Sequence, residues 1–313
     1  MKKILLIHVL LCLFLTTKAQ SKIELWGKFL QNGSHAKDWV YDDYDYLFLH
    51  GSVLYTSLLQ PEFISQIDMG KKHVINKLVP MPVDKQEGFS IYSESFIPYK
   101  DGFLTSYFKT VYFSNAKGKR LFFKAEEQET IDQILLTKSG DIILYCSNVK
   151  GSRMILMDKN GNILYQLPLN LNYYIPGFFW WYNGDDELLT EYFNIKIEDN
   201  KLVKLKEKQY TILDKSYEHV IGGYKNYFFL YSKNIPNKLI IRNSETFSPI
   251  GKIILPEAMV RLIKKTRAYK EVGEYMPIMR VVSLNNNQHF IIFSCNGFLY
   301  IYSITTKICP GQA

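Results

Sequence analysis

The densest group of side chains that could hold a ligand is an aromatic run followed by two acids. Two phenylalanines precede Trp180, Trp181 and Tyr182, and Asp185 and Asp186 come shortly after them. Indole and phenol rings offer large contact areas with one polar end, and carboxylates accept hydrogen bonds from hydroxyl groups. We therefore predict that these five residues form a ligand-binding surface.

Sequence motifs for catalysis or metal binding are missing around this surface. The chain contains no Gly-x-Ser-x-Gly elbow, no phosphate-binding loop, no His-Glu-x-x-His and no Cys-x-x-Cys. Asp158–Asn162 matches the first half of a calcium loop, but Leu169 stands where that loop needs a bidentate acid. We predict no catalytic residue, no metal site and no cofactor, and we lean towards a protein that is not an enzyme.

The first residues predict export. Lys2 and Lys3 precede the apolar run Ile4–Leu15, and small residues up to Ala19 complete the pattern of a secretory signal peptide. No later segment reaches the ~20 apolar residues that a membrane-spanning helix needs. We expect residues 1–19 to be a signal peptide and residues 20–313 to form a single domain, periplasmic or extracellular and monomeric.

Charge and cysteine content exclude some other classes. Lys and Arg number 38 against 30 acids, and they are scattered among those acids, whereas nucleic-acid binders gather basic residues on one face. We therefore expect no nucleic-acid partner. The cysteines of the predicted mature chain are Cys146, Cys295 and Cys309, so at most one intramolecular disulfide can form.

Polar turns recur along the chain and mark a repeat. The turns are centred on Asp68, Asn115, Asp158, Glu198, Asn243 and Ser303. They lie roughly 40–60 residues apart, and short apolar or alternating strands flank them. Repeats of this length are typical of β-propellers, in which each blade is a meander that cannot bury its faces alone. The sequence thus predicts an all-β propeller of six blades, with seven blades as the alternative.

The third repeat shows the plan of a blade most clearly. Apolar strands are predicted over 134–136, 142–146, 153–157 and 163–167, with turn residues between them. Four strands in series make one blade. The aromatic run at 178–182 then stands at the start of the fourth blade, where packing of an inner strand between blades is the alternative to ligand binding.

The long last interval has a local cause, a helical insertion near 256–273. Pro256 suits the first turn of a helix, and apolar residues recur on one side at helical spacing. Arg261, Lys264 and Lys265 lie on the other side. Insertions on regular scaffolds often carry function, so we predict that these three residues form a partner-binding surface.

Closure of the ring needs one more strand than the last repeat supplies. Few residues follow Ile304, whereas Lys22–Leu30 reads as a strand without a blade. We predict that this segment provides the outer strand of the last blade and so closes the ring. Closure would remove exposed strand edges, which otherwise template aggregation.

Two segments carry a resemblance to known propellers. Ser139–Ile142 and Asp158–Asn162 resemble blade turns of six-bladed propellers from exported bacterial proteins, a grouping that includes the TolB-like and NHL-like families. No functional residues of a specific family map onto this sequence. The resemblance implies a fold that serves binding modules, lyases and hydrolases alike.

Two functions follow as hypotheses. The first is an exported non-enzymatic binding or scaffold protein that uses one propeller face to hold a protein or glycan of the cell envelope. The alternative is an envelope hydrolase or lyase that acts on a saccharide or small molecule. That alternative would require several carboxylates, or a histidine with a carboxylate, to converge at one end of the blades.

Overall fold

The computed structural model shows six four-stranded antiparallel sheets and, among the described residues, one helix. The structure describes residues 22–30, 44–58, 63–71, 73–80, 95–169, 180–181, 187–189, 193–205, 218–266, 269, 279–285, 287–296 and 298–305. The predicted signal peptide lies outside these residues. The predicted all-β fold with six blades is confirmed, and the alternative of seven blades is wrong.

Each blade is a meander of consecutive strands, except that the sixth takes its outer strand from the start of the chain. Blade 1 contains β2 (Tyr44–His50), β3 (Val53–Leu58), β4 (Phe63–Asp68) and β5 (His73–Pro80). Blade 2 contains β6 (Ser95–Tyr99), β7 (Gly102–Tyr107), β8 (Thr110–Asn115) and β9 (Gly118–Lys124). Blade 3 contains β10 (Thr130–Leu136), β11 (Ile142–Asn148), β12 (Gly151–Met157) and β13 (Ile163–Leu169). Blade 4 contains β14 (Trp180–Trp181), β15 (Glu187–Leu189), β16 (Asn194–Glu198) and β17 (Lys201–Lys204). Blade 5 contains β18 (Glu218–Tyr224), β19 (Tyr227–Ser232), β20 (Lys238–Asn243) and β21 (Pro249–Ile254). Blade 6 contains β22 (Arg280–Asn285), β23 (Gln288–Cys295), β24 (Phe298–Thr305) and, as its outer strand, β1 (Lys22–Leu30).

Burial along each blade follows from its place in the ring. First strands of neighbouring blades pack together, β2 on β6, β6 on β10, β14 on β18 and β18 on β22, so they lie innermost. Every residue of β19 is buried, whereas β21 is exposed except at Ile253. A strand covered on both faces by neighbouring blades must be apolar throughout, which explains the continuous apolar runs of the second strands.

The predicted closure is confirmed. β1 pairs antiparallel with β24, from Lys22 opposite Thr305 to Leu30 opposite Phe298. The register shifts at Trp26, the bulged residue of this pair. Its ring lies 5.8 Å from the ring of Phe290 in β23. The ends of the described chain are thus joined by main-chain hydrogen bonds and by an aromatic contact.

The turn residues that mark the repeat have a structural cause. At the end of the third strand, an Asp or Asn side chain accepts main-chain N–H bonds from the turn that follows. Asp68, Asn115, Asp158 and Asn243 all do so at 2.8–2.9 Å. Asx turns of this kind favour a tight hairpin into the outer strand. Asp158 serves as such a cap, which accounts for the resemblance of its loop to half of a calcium site.

The sixth predicted turn is wrong. Ser303 lies inside β24 and pairs with both Glu24 and Phe290, and that strand continues to Thr305. The physical reason is the closure itself. Because β1 supplies the outer strand of blade 6, the chain needs no hairpin after the third strand.

The two ends of the blades differ. We call one end the short-turn face, because turns between first and second strands and between third and fourth strands lie there, such as 100–101 and 158–162. We call the other end the connection face, because it carries the described turns between second and third strands and the described passages from one blade to the next. Described examples are 108–109, 149–150, 125–129 and 255–266.

The predicted helical insertion lies on the connection face but its helix is shorter than expected. Helix α1 spans Glu257–Ile263, with Pro256 as the N-cap residue rather than in the first helical position. Met259 and Ile263 are fully buried. Beyond Thr266 only Tyr269 of the predicted stretch is described before 279, so the expected helix to 273 is confirmed only in its first half.

We predict that closure of the ring depends on Trp26. Trp26→Ala should lower the free energy of unfolding by about 2 kcal/mol, since it removes a large, partly buried ring from the joint between the chain ends. The neighbouring Leu25, whose side chain is 53% exposed, provides the control, and Leu25→Ala should leave the melting temperature almost unchanged. Thermal unfolding followed by circular dichroism measures both, and equal melting temperatures would contradict this view of closure.

Candidate binding face

The predicted ligand surface is described only in part. Trp180 and Trp181 form β14 and pair with Leu189 and Leu188. Because β14 packs on β18, Trp180 and Trp181 of the predicted aromatic run lie on the inner strand of blade 4. Tyr182, Asp185 and Asp186 lie outside the described residues. The ligand-binding role of this set therefore stays a prediction.

The basic residues of the insertion are accessible. Arg261, Lys264 and Lys265 are all exposed, opposite the buried side of α1. Among the described residues, the guanidinium of Arg261 has a distant ionic neighbour in the carboxylate of Glu257, at 3.7 Å. An exposed ion pair of this kind contributes little to stability. The three side chains thus present positive charge on the connection face, and their role in partner binding stays a prediction.

An open groove of about 480 Å³ lies on the connection face at blades 2 and 3. It runs between the β7–β8 turn and the connection 125–129. Its walls are formed by Tyr107, Phe108, Lys109, Thr110, Tyr112, Lys119, Glu127, Gln128, Glu129 and Thr130. Aromatic rings, ammonium groups and amide or carboxylate oxygens therefore face one cleft. Such a mixture is typical of sites that fix the orientation of a polar ligand on apolar walls.

The groove is held open by main-chain hydrogen bonds. The N–H of Ala125 donates to the carbonyl of Lys109 at 2.8 Å, and the N–H of Ile131 donates to the carbonyl of Phe108 at 2.6 Å. These two bonds bracket the connection between blades 2 and 3 and fix it against the β7–β8 turn. The two sides of the groove are thus set before any ligand arrives.

Phe108 stands in an unfavourable backbone conformation at the mouth of the groove. Its φ is 45°, in the left-handed region that favours glycine, and its side chain is 55% exposed. Phe247 also has a positive φ, 57°, but it is buried in blade 5 and its carbonyl accepts a bond from Arg242. Burial offsets the strain of Phe247. Phe108 lies in the two-residue turn between β7 and β8, a hairpin geometry that calls for a positive φ, and this geometry presents a large ring where glycine or asparagine is usual.

A buried ion pair anchors the inner wall of the groove. Nη2 of Arg153 lies 2.7 Å from Oε2 of Glu129 and 3.0 Å from Oε1 of Glu126. Its Nη1 donates to Oε1 of Gln166. The side chain of Glu129 is only 6% exposed, whereas that of Glu126 is 72% exposed. Arg153 therefore neutralises a carboxylate that the fold withdraws from water.

One acid beside this pair has a perturbed pKa. Asp132 is the bulged residue between Ile131 and Gln133 on the inner strand of blade 3. Burial raises the pKa of Asp132, although hydrogen bonds from Ser147 and Thr130 oppose that rise. A β-bulge re-aims a side chain away from the pleat. A carboxyl group that holds its proton more tightly than usual can act as a hydrogen-bond donor or acid.

Cys146 lies in the same part of blade 3 and is fully buried. Burial, followed by the negative charge of Glu129, raises the pKa of its thiol to about 12. A thiol that stays protonated is not a nucleophile. Cys295 is buried in blade 6, where its thiol donates to the carbonyl of Leu262, and Cys309 lies outside the described residues. Cys146 and Cys295 therefore serve the core.

A second cavity, of about 440 Å³, opens on the short-turn face where blades 1 to 3 meet. His50, Tyr99 and Lys159 are among its lining residues. The hydroxyl of Tyr99 donates to the carbonyl of Lys159 at 2.7 Å, and burial lowers the pKa of His50. The phenol group thus joins blade 2 to blade 3 across this cavity.

Sequence reasoning missed the residues of the groove and of the ion pair. A weak signal for Asp132 was present, because it is the one acid of an inner strand that ends in the apolar run Ile134–Leu136. Glu129 and Arg153 gave no such signal, since their meeting depends on the path between two blades. Within the described ranges, no three His, Cys, Asp or Glu side chains are grouped to hold a metal ion. No described helix has the length and apolar character needed to cross a membrane.

We predict that Arg153 and Glu126 differ sharply in their effects on stability. Arg153→Ala should cost about 3 kcal/mol, because it leaves the buried carboxylate of Glu129 without its cation. Glu126→Ala removes a carboxylate that touches the same guanidinium from the solvent side, and it should cost about 0.5 kcal/mol or less. Urea unfolding measures both. Similar decreases in the free energy of unfolding for the two variants would contradict the view that burial of Glu129 makes this ion pair important for stability.

We predict that the charge of Asp132 lowers stability near neutral pH. A carboxyl group whose folded pKa is raised stabilises the native state while protonated, and that contribution is lost as the pH rises through the folded pKa. Asp132→Asn keeps the oxygen that accepts from Thr130 and removes the charge. Its melting temperature should exceed that of the parent at pH 7, and the gap should close as the pH falls below the usual carboxyl range. A gap that stays constant with pH would contradict the raised pKa.

Comparisons with known proteins agree with the fold. No protein-family model and no curated protein matches the sequence. A protein from Bacteroides fragilis that is described as exported is 10% identical, with a TM-score of 0.52 over 91% of this chain and 95% of that one. A luciferin-regenerating enzyme is 9% identical, with a TM-score of 0.51 over 90% and 96%. A streptogramin B lyase is 12% identical, with a TM-score of 0.50 over 91% and 100%. At these identities the likeness shows the fold alone: the chain is a six-bladed β-propeller and matches no specific family.

Proposed function

We propose that this protein is an exported, non-enzymatic binding or scaffold protein whose connection face holds a protein or glycan of the cell envelope. The groove at blades 2 and 3 carries the proposal. It gathers the rings of Tyr107, Phe108 and Tyr112 around the polar side chains of Gln128 and Thr130. Export is supported by the signal-peptide pattern of residues 1–19, which lie outside the described residues.

The rings of the groove are suited to binding rather than to packing. Tyr107 and Tyr112 are only partly buried, and Phe108 is exposed. Nζ of Lys119 lies 3.9 Å from the centroid of the Tyr112 ring, which orients both side chains. Partly exposed aromatic side chains with a polar end anchor ligands at a small cost in conformational entropy. A sugar ring or an extended peptide is the kind of ligand that such walls accept.

The groove is also preorganised. Its two sides are joined by the main-chain bonds of Ala125 and Ile131, and Arg153 fixes the connection through Glu129. The conformational entropy of these walls is already lost on folding, so binding of a ligand does not lose it again. Preorganisation raises affinity by cutting that cost. This rigid wall distinguishes the groove from a cleft formed by loops alone.

The predicted surface at blade 4 and the basic insertion belong to the same proposal. Trp180 and Trp181 begin the inner strand of blade 4, and Arg261, Lys264 and Lys265 extend the connection face at blade 6. Both sets could enlarge a binding surface centred on the groove. The groove variant below is therefore compared with a Trp180→Ala, Trp181→Ala double variant.

A second candidate function is an envelope hydrolase or lyase that acts on a saccharide or small molecule. The β-bulge that holds Asp132 two residues from Thr130 of the groove favours it, and burial raises the pKa of this carboxyl group, as suits a general acid. If this function is correct, Asp132→Asn abolishes turnover of the bound ligand and leaves its affinity intact. A binding protein would show no turnover in the parent.

We predict that Tyr112→Ala weakens ligand binding at least tenfold, because it removes one wall of the groove and the ring that orients Lys119. A glycan array and pull-down from envelope extract identify the ligand, and calorimetric titration of that purified ligand then measures affinity. Tyr165→Ala, which changes a partly buried tyrosine on the outer strand of blade 3, should bind as the parent does.

The double variant of Trp180 and Trp181 decides between the two surfaces. Weak binding by Tyr112→Ala, with normal binding by the double variant, places the ligand in the groove. The reverse result would discard the groove in favour of the predicted surface at blade 4. Melting temperatures of all variants check that the fold is intact.

A further inference from the structure

Exposed apolar side chains are distributed unevenly over the described surface. Seven lie on outer strands and one directly after such a strand: Leu25, Leu121, Ile163, Leu164, Val203, Leu205, Ile250 and Ile254. The other three, Phe108, Val149 and Ile235, lie in turns between second and third strands. All three of these turns belong to the connection face. The described turns of the short-turn face carry no large exposed apolar side chain.

The local geometry holds each of the three side chains outward. Val149 is 97% exposed, at the apex of a turn in which the N–H of Lys150 donates to Oδ1 of Asn148. Ile235 is 41% exposed, and its N–H donates to the carbonyl of Ser232. Phe108 is held by its positive φ. These side chains are therefore presented by ordered turns.

Positive charge accompanies each apex. Lys109 follows Phe108, Lys150 follows Val149, and Lys233 precedes Ile235 in the same turn. Arg261 of α1 and the two lysines that follow the helix, Lys264 and Lys265, are exposed on the same face. The exposed acids among the described connections there are Glu126, Glu127 and Glu257. Glu126 and Glu257 face Arg153 and Arg261, and the three turns that carry Phe108, Val149 and Ile235 contain lysine and no acid.

We propose that the connection face docks on an anionic phospholipid surface, with Phe108, Val149 and Ile235 entering the interface and the neighbouring lysines contacting phosphate groups. Apolar insertion combined with lysine near headgroups is the general mode of peripheral membrane binding. This proposal goes beyond the proposed function and does not rest on it.

A lipid surface fits these apices better than a protein partner does. Protein hot spots are contiguous and packed, with a central anchor surrounded by residues that exclude water. Here the apolar side chains are separate protrusions from blades 2, 3 and 5. Because lipids in a bilayer rearrange, each apolar side chain can insert into it without matching a fixed pocket. Docking would also bring the groove, which opens on the same face, close to the envelope surface.

The test uses the full mature chain and vesicles of known composition. The parent should co-sediment with vesicles of phosphatidylglycerol and phosphatidylcholine, and only weakly with phosphatidylcholine alone. Raising the salt concentration should weaken the binding, since exposed charges are screened. Absence of binding to the anionic vesicles would overturn the proposal.

Matched variants locate the contact. A triple variant, Phe108→Ser, Val149→Ser, Ile235→Ser, should lose at least tenfold in partition onto anionic vesicles. A control with the same number of changes on outer strands, Leu121→Ser, Ile163→Ser, Ile250→Ser, should bind as the parent does. Equal binding by the two triple variants would overturn the proposal. Melting temperatures check that both triple variants fold. If the apex triple variant does not fold, the single Val149→Ser variant, which alters the most exposed of these side chains, replaces it in the comparison.

Charge and groove variants separate this proposal from others. Lys150→Glu should reduce binding to anionic vesicles about fivefold or more, as expected for loss of one lysine contact at such a surface. Tyr112→Ala should leave vesicle binding unchanged even if it abolishes ligand binding. If the apex variant loses a purified protein or glycan ligand while the parent ignores vesicles, the face binds that ligand and the lipid proposal is wrong.

Discussion

The structure depends on the joint between β1 and β24. A propeller blade has two apolar faces, and each needs a neighbouring blade to cover it, so an open row of six sheets would leave the two end faces in water. Pairing of the chain's first described strand with its last closes the row into a ring. Trp26 reinforces the joint by packing on Phe290, and the cluster that includes Leu54 and Ile292 continues the core from blade 6 into blade 1.

Much of the ring could be predicted from the sequence because its causes are local. Asx turns, such as those at Asp68 and Asp158, use side chains within a few residues of the hairpin they stabilise, and apolar second strands follow from burial on both faces. The turn at Ser303 was mispredicted because the outer strand of blade 6 comes from the other end of the chain. The ion pair of Glu129 and Arg153 was missed for a related reason, since it joins a connection to a strand through the packing of two blades. Local patterns predict blades, but not the contacts made by the passages between them.

The two ends of the blades follow different constraints. On the short-turn face each turn must reverse the chain over a few residues, so the residue types are those that hairpin geometry permits. Passages on the connection face only have to reach the next blade, and their length and composition are free to vary. Helix α1 and the groove beside 125–129 both arise there. Functional residues of a regular scaffold are expected in the segments whose length and sequence the repeat constrains least.

Three unfavourable features of different physical kinds meet at the connection end of blades 2 and 3. Phe108 bears backbone strain, Asp132 bears the cost of burying a carboxyl group, and Val149 exposes an apolar side chain almost completely. Each could be relieved by a single substitution that the ring would tolerate, glycine, asparagine and a polar residue respectively. Selection for stability alone would favour those substitutions. Strain, desolvation and hydrophobic exposure have different physical origins, and their coincidence at one end of two blades supports the proposed binding function.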